Sequence, residues 1–226
     1  MKVINRIFLV ALIAGGIAGL LLAELQYFVV APLVLEVETY GATSNQLKEA
    51  WPIVMDDGQI FFTVFSNIMS GILFGLLLAA CYLRHRPISW SCSIIWGLAG
   101  FFIFHLAPAF VQPQEFSVDA AVSLAVRETW WWLTVVTTAL GFWMIAFKPV
   151  HYLKLSGAVL IALPHLLITA QPDVHNMLVS EELRGTLIHT SLICNAIFWM
   201  LLGPLSAFFY NRIRGVSEIK SVFYDC

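Results

Sequence analysis

The chain has 226 residues, 60% of them hydrophobic and 12% charged, with a formal net charge of −2 and a mean hydropathy of +0.84. A soluble domain of this length is ordinarily about half apolar and about a quarter charged, so the composition excludes water as the main solvent. No nucleic-acid partner is expected of it.

Apolar blocks of roughly twenty residues, the length that crosses a hydrocarbon core of about 30 Å at 1.5 Å per residue, succeed one another along the chain. They predict an all-α integral membrane protein, a bundle of six transmembrane helices over residues 7–27, 60–83, 88–110, 130–147, 153–170 and 187–210, forming one membrane domain over 1–226. Lys2 and Arg6 ahead of the first block resemble the start of a signal peptide. The apolar run continues to Leu35, broken only by Glu24 and Gln26, and lacks a clear small-residue cleavage site, so it reads as a span. Gly15 with Gly19, and Gly71 with Gly75, are small-residue pairs that let helix backbones approach closely in lipid.

Between the spans, Thr43 to Trp51 opens with a Thr-x-x-Gln capping pattern and predicts a short surface helix. Ser117 is read as the cap of a helix leading into Trp130, Trp131 and Trp132, a cluster suited to the membrane interface. The fifth block carries Pro164 and its apolar run, Leu155 to Ala170, is short, which leaves a five-span bundle with a re-entrant piece as the alternative. Ser180 before Glu181 and Glu182 is a helix start.

Charge placement favours six spans with both termini in the cytoplasm. That arrangement puts nine of the twelve basic residues inside, Lys148, Lys154, Arg212 and Arg214 among them, as the orienting bias of lysine and arginine requires. Eleven of the fourteen acidic residues fall in the outer loops.

The four cysteines offer neither a disulfide framework in the outer loops nor a CxxC metal motif. Phosphate loops, nucleophile elbows, zinc-protease helices and dinucleotide fingerprints are all missing from the sequence. The chain is therefore expected to be no enzyme, and energy for any solute movement must come from a gradient or from another subunit.

Ionisable groups at membrane depth are costly and so mark function. His105 near the outer end of the third span, His165 in the fifth and His189 at the start of the sixth share one leaflet, with Glu24 at a similar level on the first helix. His175, Glu36 and Glu38 lie in the loops above. Imidazole and carboxylate converging from several helices would suit a borderline divalent metal, and these seven residues are the candidate metal ligands. No thiolate is placed among them, which argues against a permanent structural site, and no tightly bound cofactor is expected. Pro108 after His105, Pro164 before His165, and Pro172 beyond would open local backbone in the same region.

The segments PLVLEVETY (32–40), FTVFSNIMSGILFGLLLAA (62–80), WGLAGFFIFHLAPAF (96–110), RETWWW (127–132), ALPHLLITAQPDVH (162–175) and IFWMLLGPLSAFFYNR (197–212) resemble, in order and spacing, those of the CbtA family of proposed cobalt transporter subunits. The resemblance runs from Arg6 to Arg212. It departs after Phe110, where VQPQEFS replaces a proline-rich stretch while keeping Pro113 and Glu115, and at Glu128, where glutamine is commoner. The resemblance implies an inner-membrane permease component for uptake of a divalent transition metal, cobalt by family. It also implies a small one-span, histidine-bearing partner subunit and a link to cobalamin metabolism. Cobalt itself cannot be derived from nitrogen and oxygen donors, which on affinity alone prefer nickel or copper. Two other readings stay open at this point: a haem-binding electron-transfer subunit with paired histidines, and a non-transporting assembly subunit.

Overall fold

The structure is a computed structural model and describes residues 3–41, 57–84, 88–111, 124–167 and 180–213. The predicted helix at 43–51, the Ser117 cap, Pro172 and His175 lie outside the described residues. Those described form eight α-helices and no strand: α1 (Val3–Leu25), α2 (Ala31–Gly41), α3 (Asp57–Cys81), α4 (Trp90–Phe101), α5 (Ala107–Val111), α6 (Leu124–Phe147), α7 (His151–Leu167) and α8 (Glu181–Ile213). The protein is an all-α membrane bundle. Among the described residues five helical stretches are long and apolar enough to cross a membrane: Val3–Val37, Asp57–Cys81, Trp90–Phe110, Ala125–Phe147 and Glu182–Ile213. The sixth, α7, is apolar and 17 residues long, about 25 Å.

The outer surface is apolar, unlike that of a soluble protein, and several hydroxyl side chains are buried inside. Phe62, Leu73 and Leu155 are each about two-thirds exposed, whereas Ser93, Thr134, Thr138 and Ser206 are fully enclosed. Lipid solvates the outside as well as an apolar core would, so association rests on close packing and interhelical hydrogen bonds. Three helix pairs supply that packing through facing glycines. A Cβ on Gly15 or Gly71 would strike the other residue's backbone, fusing α1 to α3. Gly141 and Gly157 do the same for α6 and α7, while between α4 and α8 a Cβ on Gly97 would strike the Trp199 carbonyl and one on Gly203 the Ser93 carbonyl. Only glycine permits these contacts, because any side chain would hold the two backbones apart.

Helices α1, α3, α4 and α8 form the main bundle, centred on Trp199, Phe198, Leu202 and Tyr82. The α6–α7 hairpin packs chiefly on itself and reaches the bundle through α5 and the end of the α4 segment. One end of the bundle is pinned by Asn211, whose side chain accepts from the Ile88 amide at 3.2 Å and donates to the Ile88 carbonyl at 2.8 Å. Ser89 then caps α4 by accepting from the Cys92 amide. At the opposite end α2 and the first turns of α8 extend together and bury Val37 against Leu187. Ser180 caps α8 as its sequence suggests, accepting from the Leu183 amide at 3.2 Å.

Two helices carry a π-helical turn, Gln26–Val30 between α1 and α2 and Phe102–Leu106 between α4 and α5. Each closes on an alanine amide reaching back five residues, Ala31 to Gln26 and Ala107 to Phe102. In each the next residue is proline, Pro32 or Pro108. Proline cannot donate to the carbonyl four residues back, and its ring collides with that carbonyl in a regular helix. Widening the preceding turn relieves the collision, and such π-bulges recur at functional sites. Pro164 and Pro204 sit inside α-helix without one.

Candidate functional site

Both π turns border one cavity of about 550 Å³ in the half of the bundle nearest α2. From the first helix come Leu22, Gln26, Val30 and Val34, and from α3 come Thr63, Asn67, Ser70 and Phe74. Helix α8 gives Ser191, Cys194, Asn195 and Phe198. These spacings of three and four residues are single helix faces. His105 and Ala109 enter from the α4–α5 segment and Trp131 from α6. The extra residue in the 102–106 turn rotates the rest of that segment by about 100°, and His105 and Ala109 are the residues of the segment on the cavity wall.

The wall is mostly apolar with polar groups set into it, and it is uncharged, with no Asp, Glu, Lys or Arg on it among the described residues. Asn67 donates to the Gln26 side-chain carbonyl at 2.6 Å and to the Thr63 backbone carbonyl at 2.9 Å, which holds two carboxamides from neighbouring helices together. Asn195 donates to the Ser191 carbonyl at 2.9 Å. The His105 ring is partly buried against Phe74, Phe101 and Trp199, with centroids 6.3 to 6.4 Å away. Its Nε2 is fully enclosed and has no hydrogen-bond partner among the described residues; the same is true of Trp131 Nε1. Buried polar nitrogens left unpaired cost free energy and call for an explanation.

Of the candidate metal ligands read from the sequence, His105 alone among those described reaches this cavity. His189 is exposed on α8, two residues and so about 200° around the helix from Ser191. Glu24 is likewise exposed, midway between the lining residues Leu22 and Gln26 and therefore on the opposite side of its helix. His165 lies on α7 with its ring 6.5 Å from Phe110, away from the cavity wall. Glu36 is exposed on α2, and the Glu38 side chain and His175 are outside the described residues. The expected convergence of Glu24, His105, His165 and His189 does not occur in this conformation. Among the described residues, no group of three or more His, Cys, Asp or Glu side chains lies close enough to hold a metal ion. Shared depth put these residues together in the sequence, but their directions around the helix axes separate them.

Sequence reasoning passed over Gln26, Asn67, Asn195 and Cys194. One expectation is corrected here: a thiol does border the histidine's cavity, since Cys194 is a free, buried cysteine on its wall. Trp131 lines the same cavity. Trp132, 59% exposed, is the outward member of the tryptophan cluster. The i, i+3, i+4, i+7 run Ser191, Cys194, Asn195, Phe198 was the available signal, a polar stripe inside an apolar span. A haem held between two imidazoles finds no pair on the described wall, where His105 is the single histidine.

The family model described as probable cobalt transporter subunit (CbtA) matches residues 4–211, nearly the whole chain. No curated protein and no solved structure matches it.

Proposed function

This chain belongs to the CbtA family of probable cobalt transporter subunits, and we propose that it is the permease component through which a divalent transition-metal ion, cobalt by family, enters the cell. The observation that carries the reading is the enclosed, unpaired Nε2 of His105 beside an uncharged cavity within the membrane bundle. A neutral wall cannot draw a cation in by charge, so the ion must be held by lone pairs, and a neutral imidazole is the strongest nitrogen donor present. Six waters at roughly 30 Å³ each fill about a third of the space, so a hydrated ion fits, and a rotation of the His105 ring that brings its enclosed Nε2 to the cavity lets the ion exchange water for imidazole. The side-chain oxygens of Gln26, Asn67 and Asn195 then accept from the remaining metal-bound waters. Few protein donors make a site the ion can leave, as conduction requires.

In this reading the chain has six spans and lies in the bacterial inner membrane with both termini in the cytoplasm. Its acidic outer loops concentrate divalent cations, and first capture falls to Glu36, Glu38, His165 and His175. Glu24 and His189, facing away from the cavity, serve only at its periphery. A small one-span, histidine-bearing subunit is the expected partner, and no catalytic step is involved.

The test is cobalt uptake into proteoliposomes. His105→Phe keeps the aromatic packing against Phe74, Phe101 and Trp199 but removes the donor nitrogen; it should cut uptake at least tenfold. His151→Ala, at an exposed position opening α7, should leave uptake unchanged. Full uptake by His105→Phe overturns the role given to His105.

A further inference from the structure

We infer that Cys194 and His105 together form a two-donor imidazole–thiolate subsite in the membrane cavity, one that selects borderline and soft divalent ions over hard ones. The inference rests on the transport reading for its purpose but on separate observations for its existence. Cys194 is a free thiol, 3% exposed, on the α8 wall of the cavity that His105 borders from the α4–α5 segment. His105 brings an enclosed nitrogen with no other partner among the described residues. Asn195 and Ser191, which flank Cys194 on the same face, are bonded within α8, so the thiol stands on a rigid wall.

Charge gives the thiol a role that no other described lining group can fill. Moving a divalent ion through low-dielectric surroundings is costly, and the described wall carries no carboxylate. Cysteine is the one residue there that readily becomes anionic when a metal binds, since a coordinating thiol is deprotonated outright. The step is balanced simply. A sulfur–metal bond forms, one metal-bound water leaves, and the thiol proton passes to cavity water and out to solvent, so the thiolate offsets one of the ion's two positive charges. Selectivity comes from the same donors, because thiolate and imidazole favour cobalt, nickel, zinc and copper, while magnesium, calcium and manganese prefer oxygen. Two protein donors, with carboxamides and water completing the shell, keep the ion exchangeable.

The experiment titrates the purified full chain in detergent, without oxygen, with Co²⁺ while recording near-ultraviolet absorption and proton release. Wild-type protein and a Cys81→Ser control should both develop a sulfur-to-cobalt charge-transfer band and release about one proton per ion. Cys194→Ser should lose the band and bind Co²⁺ at least tenfold more weakly, with Cys194→Ala as a second variant and gel filtration confirming that each remains folded. Zn²⁺ should displace Co²⁺ from wild type, and a hundredfold excess of Mg²⁺ should not. A wild-type chain that binds Co²⁺ without the band, or a folded Cys194→Ser with unchanged spectrum and affinity, overturns the subsite. Uptake measured separately distinguishes the two ideas. Uptake without the band leaves the transport reading standing and removes this one, while the band without uptake does the reverse.

Discussion

Asn67 of α3 donates to Gln26 of the first π turn at 2.6 Å, and this bond crosses between helices beside their closest contact. Two turns earlier on α1, Gly19 lies so near the Asn67 carbonyl that no Cβ would fit. The glycine contact sets the distance between the helices, and the carboxamide pair uses it. Interhelical hydrogen bonds in membrane proteins average about 0.6 kcal/mol by double-mutant cycles. Asn67→Ala and Gln26→Ala should therefore show coupling of about that size in a cycle of unfolding measurements, and each should slow cobalt uptake. A coupling indistinguishable from zero would mean that the pair does not hold the cavity wall.

Glycine substitutions should separate packing from composition. Gly15→Leu and Gly71→Leu force side-chain atoms into the facing backbone and should cost about 3 kcal/mol or more, in the range of severe overpacking, or prevent folding. Gly16→Ala meets open space and should be neutral within about 0.5 kcal/mol. Resistance to unfolding in detergent reads both, and equal effects at Gly15 and Gly16 would refute the interlock.

The π turns should depend on their prolines. Pro108→Ala restores an amide able to bond four residues back, which should favour regular helix over 102–106 and swing His105 away from the cavity wall. Stability should change little or rise, yet cobalt uptake should fall at least fivefold. Undiminished uptake in this variant would show that the position of His105 does not rely on the widened turn.

Topology has its own test. Reporter fusions at Lys148 and after Arg212 should report cytoplasm, and fusions at Asp119 and Glu182 the outside. If the first two disagree, α7 does not span and the bundle has five crossings. Energy coupling is checked in the uptake vesicles. With no phosphate loop in the sequence, uptake by the isolated chain should persist without ATP when an ion or voltage gradient is supplied, and strict ATP dependence would contradict it.

That this is an all-α membrane protein was legible in the sequence alone. Hydropathy is a property of consecutive residues and the bilayer imposes a fixed length, so both are legible along one dimension. Glycine pairs such as Gly15/Gly19 also announced close packing, since lipid leaves little else to drive it. Direction around each helix axis was beyond the reach of sequence. Glu24 lies two residues from Gln26 and His189 two from Ser191, yet each faces away from the cavity those neighbours line. The π turn before Pro108 shifts the register of every later residue in its segment by one. That His105 shares a cavity with Cys194, Asn67 and Gln26 rather than with His165 and His189 emerged on folding, because which faces meet is set by where the glycine-locked helix pairs cross.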